Sequence, residues 1–185
     1  ILPLALDASV APGQADLPMH WGSEFLAGAG INALTNGARC PDSQQPELKF
    51  SALAVASAQL PWRLSACAWL PAGQGAALRE RLRALLPAFP FAQCLPVPSA
   101  DESRQGWAFE AALAEVPSAV LVAQLTAAVG LEGAGVHRYA DPGRGRLRLL
   151  RLQGEGESAV LQAFVRVGEH DEAAWLLPLW RDGQR

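Results

Sequence analysis

The segment from Leu17 to Lys49 limits the fold of this chain most, because its prolines and glycines exclude a long helix. Pro18 restricts the residue before it to extended conformations, and residues 22–30 have the composition of a loop. Asn36-Gly37 and Pro41-Asp42-Ser43 are turn signals. The segment is therefore predicted to form short extended pieces and turns.

Three motifs in this segment are too polar for a protein core: Met19-His20-Trp21, Asn32-Ala33-Leu34-Thr35 and Gln45-Pro46-Glu47-Leu48-Lys49. Their amide, hydroxyl and ammonium groups can hydrogen-bond a polar heterocycle and a phosphate together. The intervening glycines would let such a ligand approach the backbone closely. Ordinary structural roles are also open, since His20 has the setting of a packed histidine and Lys49 that of a solvated side chain.

Composition narrows the possible functions. A chain of 185 residues that is 50% hydrophobic can bury a sizeable core. Its net charge of -3 provides no overall basic field, so neither nucleic acid nor a membrane is expected as a partner. Cys40, Cys67 and Cys94 are an odd number without a Cys-x-x-Cys pair, which favours free thiols in a cytoplasmic protein over disulfides or a zinc site. Because an apolar segment at residues 1–6 opens the chain without Met, we expect a fragment of a longer protein.

Hydrophobic periodicity predicts a mixed α/β fold for the remainder of the chain. Strands are predicted at residues 1–6, 48–58, 62–70 and 91–97, and in a meander at 135–139, 146–152 and 158–167. Helices are predicted at 74–86, at 105–116 and from a cap at Asp171, while 119–129 fits a helix or a buried strand. No Gly-x-Ser-x-Gly elbow or phosphate-binding loop occurs, so we assign no catalytic residue and no metal ligand.

The order of the three polar motifs resembles the C-terminal dinucleotide-binding domain of molybdopterin oxidoreductases, and specifically that of the assimilatory nitrate reductases. The resemblance covers residues 1–58 well, and Tyr139-Ala140-Asp141-Pro142 and Ala174-Trp175-Leu176 look like an extension found in these enzymes. It implies that residues 1–58 are the C-terminal half of a double-psi β-barrel. Residues 59–185 would be a smaller α+β extension that ends in the meander and a helix.

The resemblance also implies a cofactor, bis-molybdopterin guanine dinucleotide, with iron–sulfur clusters in parts of the parent protein outside this chain. Carried over by position, the cofactor-binding residues are Met19, His20, Trp21, Asn32, Thr35, Gln45, Glu47 and Lys49. Lys49 suits an anionic oxygen of the cofactor, and Asn32 can satisfy a donor and an acceptor together. The family usually has Asp at the position of Cys40, so a turn hydrogen bond is expected to be lost.

The implied reaction of the intact enzyme is the reduction of nitrate to nitrite during nitrate assimilation, with the fragment inactive alone. One alternative keeps the cofactor but places it in another superfamily member, such as a formate dehydrogenase. In a different class of function, the extension would bind an electron-donor protein. Arginines at 79–83 and 144–151 could then meet an acidic redox partner.

Overall fold

The computed structural model describes residues 1–18, 22–46, 51–169 and 175–182. Within these ranges the strands are β1 (Trp62–Pro71), β2 (Phe91–Val97), β3 (Arg104–Leu113), β4 (His137–Asp141), β5 (Arg146–Gln153) and β6 (Val160–Glu169). The α-helices are α1 (Gly75–Arg83), α2 (Ala119–Ala128) and α3 (Leu176–Asp182). Short 3-10 helices occupy Ile31–Leu34, Leu86–Ala88, Pro142–Arg144 and Gly156–Ser158.

The strands form one antiparallel sheet in the order β2-β3-β1-β6-β5-β4. The elements β1, α1, β2, β3, α2 and β6 follow the connectivity of a split βαβ unit, with the β4–β5 hairpin inserted before β6. Strands β4, β5 and β6 make the predicted meander, and α3 follows it as predicted. The mixed α/β class is therefore confirmed.

Helices cover both faces of the sheet, which explains why β1 is buried along most of its length. On one face, Leu78 of α1 and Leu125 of α2 are fully buried in the larger core. On the other face, Leu176 and Trp180 of α3 pack in a second core with Cys67. Adjacent residues of β1 thus point into different cores, as the alternation of side chains along a strand requires.

The last helix is fixed to the sheet through Trp180. Its ring stacks on that of Trp69, with 4.7 Å between the centroids. The Trp69 Nε1–H donates to the Trp180 carbonyl at 3.1 Å, and the Trp180 Nε1–H donates to the Gln162 carbonyl at 3.1 Å. Both indole N–H groups are therefore satisfied inside an apolar layer. The predicted cap of this helix, Asp171, lies outside the described residues.

Three secondary-structure predictions are wrong. The helix expected at 105–116 is strand β3, in which Trp107 and Phe109 face the larger core while Ala108 faces the second one. Residues 1–6 and the described part of 48–58 have no regular secondary structure. The described residues of 1–58 contain one 3-10 helix and two isolated bridges, so the double-psi barrel stays a prediction, as does a domain boundary at residue 58.

The cysteines are free thiols, of which Cys67 and Cys94 are buried as small hydrophobic residues and Cys40 is half-buried. Burial raises the pKa of Cys94 to about 12 and, together with the nearby Glu110 carboxylate, raises that of Cys67. None of the helices in the described ranges is long and apolar enough to cross a bilayer.

Candidate cofactor-binding segment

Residues 22–34, here called the edge segment, lie along the outer edge of β2. The Ala27 amide donates to the Ala92 carbonyl, and the Cys94 amide donates to the Phe25 carbonyl, each at 2.8 Å. These two hydrogen bonds flank an isolated bridge between Leu26 and Gln93. The edge segment therefore extends the sheet and satisfies backbone groups that an edge strand would otherwise present to solvent.

Side chains also attach the edge segment to the sheet and to α1. Leu26 is only 5% exposed and Ile31 only 8%. Arg79 of α1 donates to the Glu24 carboxylate at 3.2 Å, and its guanidinium lies 6.0 Å from the centroid of the Trp107 ring. Because much of the Glu24 side chain is in solvent, this ion pair contributes little stability. The buried aliphatic side chains are the stronger attachment.

The turn that carries Asn32 begins at Gly30, whose φ of 73° and ψ of 178° belong to a region that is essentially restricted to glycine. A Cβ at this position would lie 2.7 Å from the Ser23 nitrogen, so the two ends of the loop at 22–30 touch through their backbones. The 3-10 helix Ile31–Leu34 follows at once. Gly30 therefore both closes the loop and starts the turn.

Within the turn, Ile31 points inward and Asn32 is exposed. The Thr35 amide and hydroxyl both donate to the Asn32 carbonyl, at 3.3 and 2.8 Å. The Ser51 hydroxyl donates to the Leu34 carbonyl at 2.8 Å. Ser51 stands two positions beyond Lys49 in the sequence, so this bond joins the chain that follows the Gln45–Lys49 motif to the turn that carries Asn32.

A compact hairpin-like loop leads to Gln45. An isolated bridge between Arg39 and Pro46 closes this loop. Two hydrogen bonds of 2.9 Å support it, from the Cys40 amide to the Gln45 carbonyl and from the Gln44 amide to the Cys40 carbonyl. Gln44 has a φ of 58°, which reverses the chain inside the loop. The Gln45 side chain is exposed.

Cys40 lies at the start of this loop, close to Ser43. The hydrogen bond with the Ser43 hydroxyl lowers the pKa of the Cys40 thiol, and the backbone N–H groups of Ser43 and Asp42 lower it further. The expected loss of a turn hydrogen bond at this position stays a prediction.

The structure places three of the eight predicted site residues, Asn32, Thr35 and Gln45. Met19, His20, Trp21, Glu47 and Lys49 lie outside the described residues. In the described part of the chain, the carboxamide groups of Asn32 and Gln45 make no hydrogen bond. The Thr35 hydroxyl is used to close the turn. Cofactor binding by all eight residues stays a prediction.

Sequence reasoning missed a groove of ≈ 510 Å³ beside the turn, lined by apolar side chains and by backbone. Its walls come from three parts of the chain, Ile1–Leu2, the edge segment from Leu26 to Leu34, and the stretch from Pro87 to Pro90. The spacing of Gly28 and Gly30, both with positive φ, was the available signal for a close backbone approach here. No cluster of three His, Cys, Asp or Glu side chains suited to a metal ion occurs in the described ranges.

The fold and this segment define an α/β protein whose sheet edge supports an exposed, polar loop region. Comparison with known proteins adds a specific likeness, because 54 residues are 41% identical to a nitrate reductase from Synechocystis sp. (strain ATCC 27184 / PCC 6803 / Kazusa). The match covers 29% of this chain and 8% of that enzyme. The chain therefore contains a region related to a nitrate reductase. No protein-family model and no solved structure matches the chain.

Proposed function

We propose that this chain is the C-terminal part of a molybdenum-dependent nitrate reductase and contributes one wall of the site for bis-molybdopterin guanine dinucleotide. The observation that carries the proposal is the 41% identity to a nitrate reductase over 54 residues. The same comparison favours a nitrate reductase over a formate dehydrogenase. Reduction of nitrate would take place in the intact enzyme, and the chain alone would be inactive.

The described residues fit such a cofactor. The carboxamides of Asn32 and Gln45 are exposed, and each offers two donors and an acceptor, which suits the mixed donor and acceptor edges of pterin and guanine rings. Lys49 lies outside the described residues, and its ammonium group is of a type that suits a pyrophosphate. When bound, the cofactor supplies the two-electron chemistry at molybdenum. The role of this chain is then to bind and orient it.

A rigid support for these groups strengthens the proposal. The Asn32 turn is attached through the edge segment to β2, so its backbone is held by a packed sheet. Binding sites require side chains that are held close to their productive geometry. Hydrogen bonds from the sheet edge and the buried Leu26 and Ile31 side chains provide that support.

The test is cofactor content in the full-length protein that contains this chain, purified from cells that synthesise the cofactor. Asn32→Ala and Lys49→Ala should lower pterin and molybdenum per mole of protein. The matched control is Gln14→Ala, which removes an exposed carboxamide from a turn outside the site. Wild-type protein without pterin or molybdenum would overturn the proposed function. Normal cofactor content in both site variants would remove Asn32 and Lys49 from the site.

We propose a second function for the β4–β5 hairpin, the binding of an acidic electron-donor protein. Tyr139 is 49% exposed, and the Arg148 guanidinium lies 5.4 Å from the centroid of its ring. Arg144 is exposed in the turn of the same hairpin, whereas Arg138 is exposed on the opposite face of β4 from Tyr139. An exposed aromatic ring beside the Arg148 guanidinium and close in sequence to Arg144 supports charge-steered docking of an anionic partner.

A further inference from the structure

We propose that the sheet of the α+β extension, residues 59–185, positions the Asn32 turn for the cofactor. Leu26 is the residue that attaches the turn to this sheet. This inference rests on the proposed function and assigns a role to a part of the chain outside the polar motifs. In this view the extension is a scaffold for the cofactor segment, and Leu26 is a positioning residue that does not itself touch the cofactor.

The first support is the way in which Leu26 meets the sheet. Hydrogen bonds from the Ala27 amide and to the Phe25 carbonyl, each 2.8 Å long, lie on either side of it, and its side chain is 5% exposed. Leu26 and Ile31 line the same groove as Phe89, which belongs to the larger core. Leu26 therefore lies between the backbone pairing with β2 and the groove that borders the start of the turn.

The second support is the short, closed path from Leu26 to Asn32. The loop at 22–30 has the length and the touching ends of an Ω-loop, and the backbone of Gly30 is packed against Ser23. Because the loop is closed and its middle is attached to β2, the loop and the turn must move together. The position of Asn32 therefore depends on the attachment at Leu26.

Leu26 lies outside both hydrophobic core clusters of the described residues, which makes a selective perturbation possible. Leu26→Ala should release the edge segment and leave the sheet folded. Two backbone amides report its release directly, because those of Ala27 and Cys94 are protected by the hydrogen bonds between the edge segment and β2. The amides of β1, at the centre of the sheet, report global stability.

The experiment compares Leu26→Ala, Leu26→Met and Leu152→Ala in the full-length protein. Leu152→Ala is the matched control, since it removes the same atoms from a 42% exposed side chain on β5, far from β2. Hydrogen exchange at Ala27, Cys94 and β1 is measured together with pterin and molybdenum per mole of protein. Leu26→Met conserves side-chain volume and serves as the rescue variant.

Leu26→Ala is expected to speed exchange at Ala27 and Cys94 by about tenfold or more, to leave β1 unchanged, and to lower cofactor content. Leu26→Met should largely restore both readouts, and Leu152→Ala should change neither. Unchanged exchange, unchanged cofactor content, or an equal acceleration in β1 would each overturn the positioning role. Wild-type protein without pterin would instead overturn the proposed function, while the exchange data would still report whether Leu26 holds the segment.

Discussion

The closure of the loop at Gly30 offers a quantitative test of how the Asn32 turn is held. Gly30→Ala is compared with Gly28→Ala, because both glycines have positive φ, 73° and 89°. In either variant the new Cβ sits on a backbone conformation that L-residues rarely adopt, at a cost of about 1–3 kcal/mol. The two positions are therefore comparable in φ.

The two positions differ in the space around the new Cβ. At Gly30 it would lie 2.7 Å from the Ser23 nitrogen and 2.9 Å from the Gly22 carbonyl carbon, whereas at Gly28 nothing lies within 4 Å. Since the clashing atoms belong to the backbone, the loop must open to relieve the contact, and overpacking of this kind costs about 1–3 kcal/mol. Gly30→Ala should therefore favour the open loop roughly 5-fold to 150-fold more than Gly28→Ala does.

Native-state hydrogen exchange at Ala27 and Cys94 measures how far this opening also releases the edge segment from β2, with the amides of β1 as the reference for global unfolding. Equal acceleration in both variants would show that the contact between Gly30 and Ser23 does not keep the loop closed. If neither variant changes the exchange rates, the positive φ values are not maintained in solution and the argument for the turn fails.

Three further predictions concern other parts of the chain. Iodoacetamide should modify Cys40 well before Cys67 and Cys94. Because the pKa of the Cys40 thiol is lowered, the midpoint of the rate–pH profile of Cys40 should lie below that of the unfolded chain. Equal midpoints would contradict the interaction with Ser43. Trp180→Phe removes the donor to the Gln162 carbonyl and should lower the free energy of unfolding by about 1–3 kcal/mol in denaturant titrations, whereas an unchanged value would mean that this bond contributes nothing. Reversing Arg144 and Arg148 to Glu should slow donor-dependent turnover and weaken its dependence on salt. An unaltered rate and salt slope would make them ordinary surface residues.

The sequence patterns that succeeded describe elements determined by local contacts. Leu78 and Leu82 stand four residues apart on one face of α1, and the turn at Asp141-Pro142-Gly143 separates β4 from β5. Strand β3 was misread because Trp107, Ala108 and Ala111 have a spacing that also fits a helix. Its burial on both faces depends on its place between β1 and β2, which no local pattern reveals.

In the candidate site, too, local features were predicted from the sequence and long-range contacts were not. Turn chemistry indicated loops around Asn36-Gly37 and Pro41-Asp42-Ser43, and the polar character of the segment indicated exposed side chains at Asn32 and Gln45, as observed. The attachment of Leu26 to β2 was not foreseen, since it joins residues far apart in the sequence through backbone hydrogen bonds. Backbone pairing of this kind leaves almost no trace in side-chain composition.

The edge segment also determines how the sheet can grow. By occupying the hydrogen-bonding groups of Ala92 and Cys94, it blocks strand addition at the start of β2, and Pro96 further along that strand lacks an N–H. Within the described residues, a strand from another molecule could pair only beside β4, which is 5 residues long and carries the exposed Arg138. Short length and charge both discourage such pairing. The edge segment that supports the Asn32 turn thus also leaves little free edge for strand addition in the described part of the sheet.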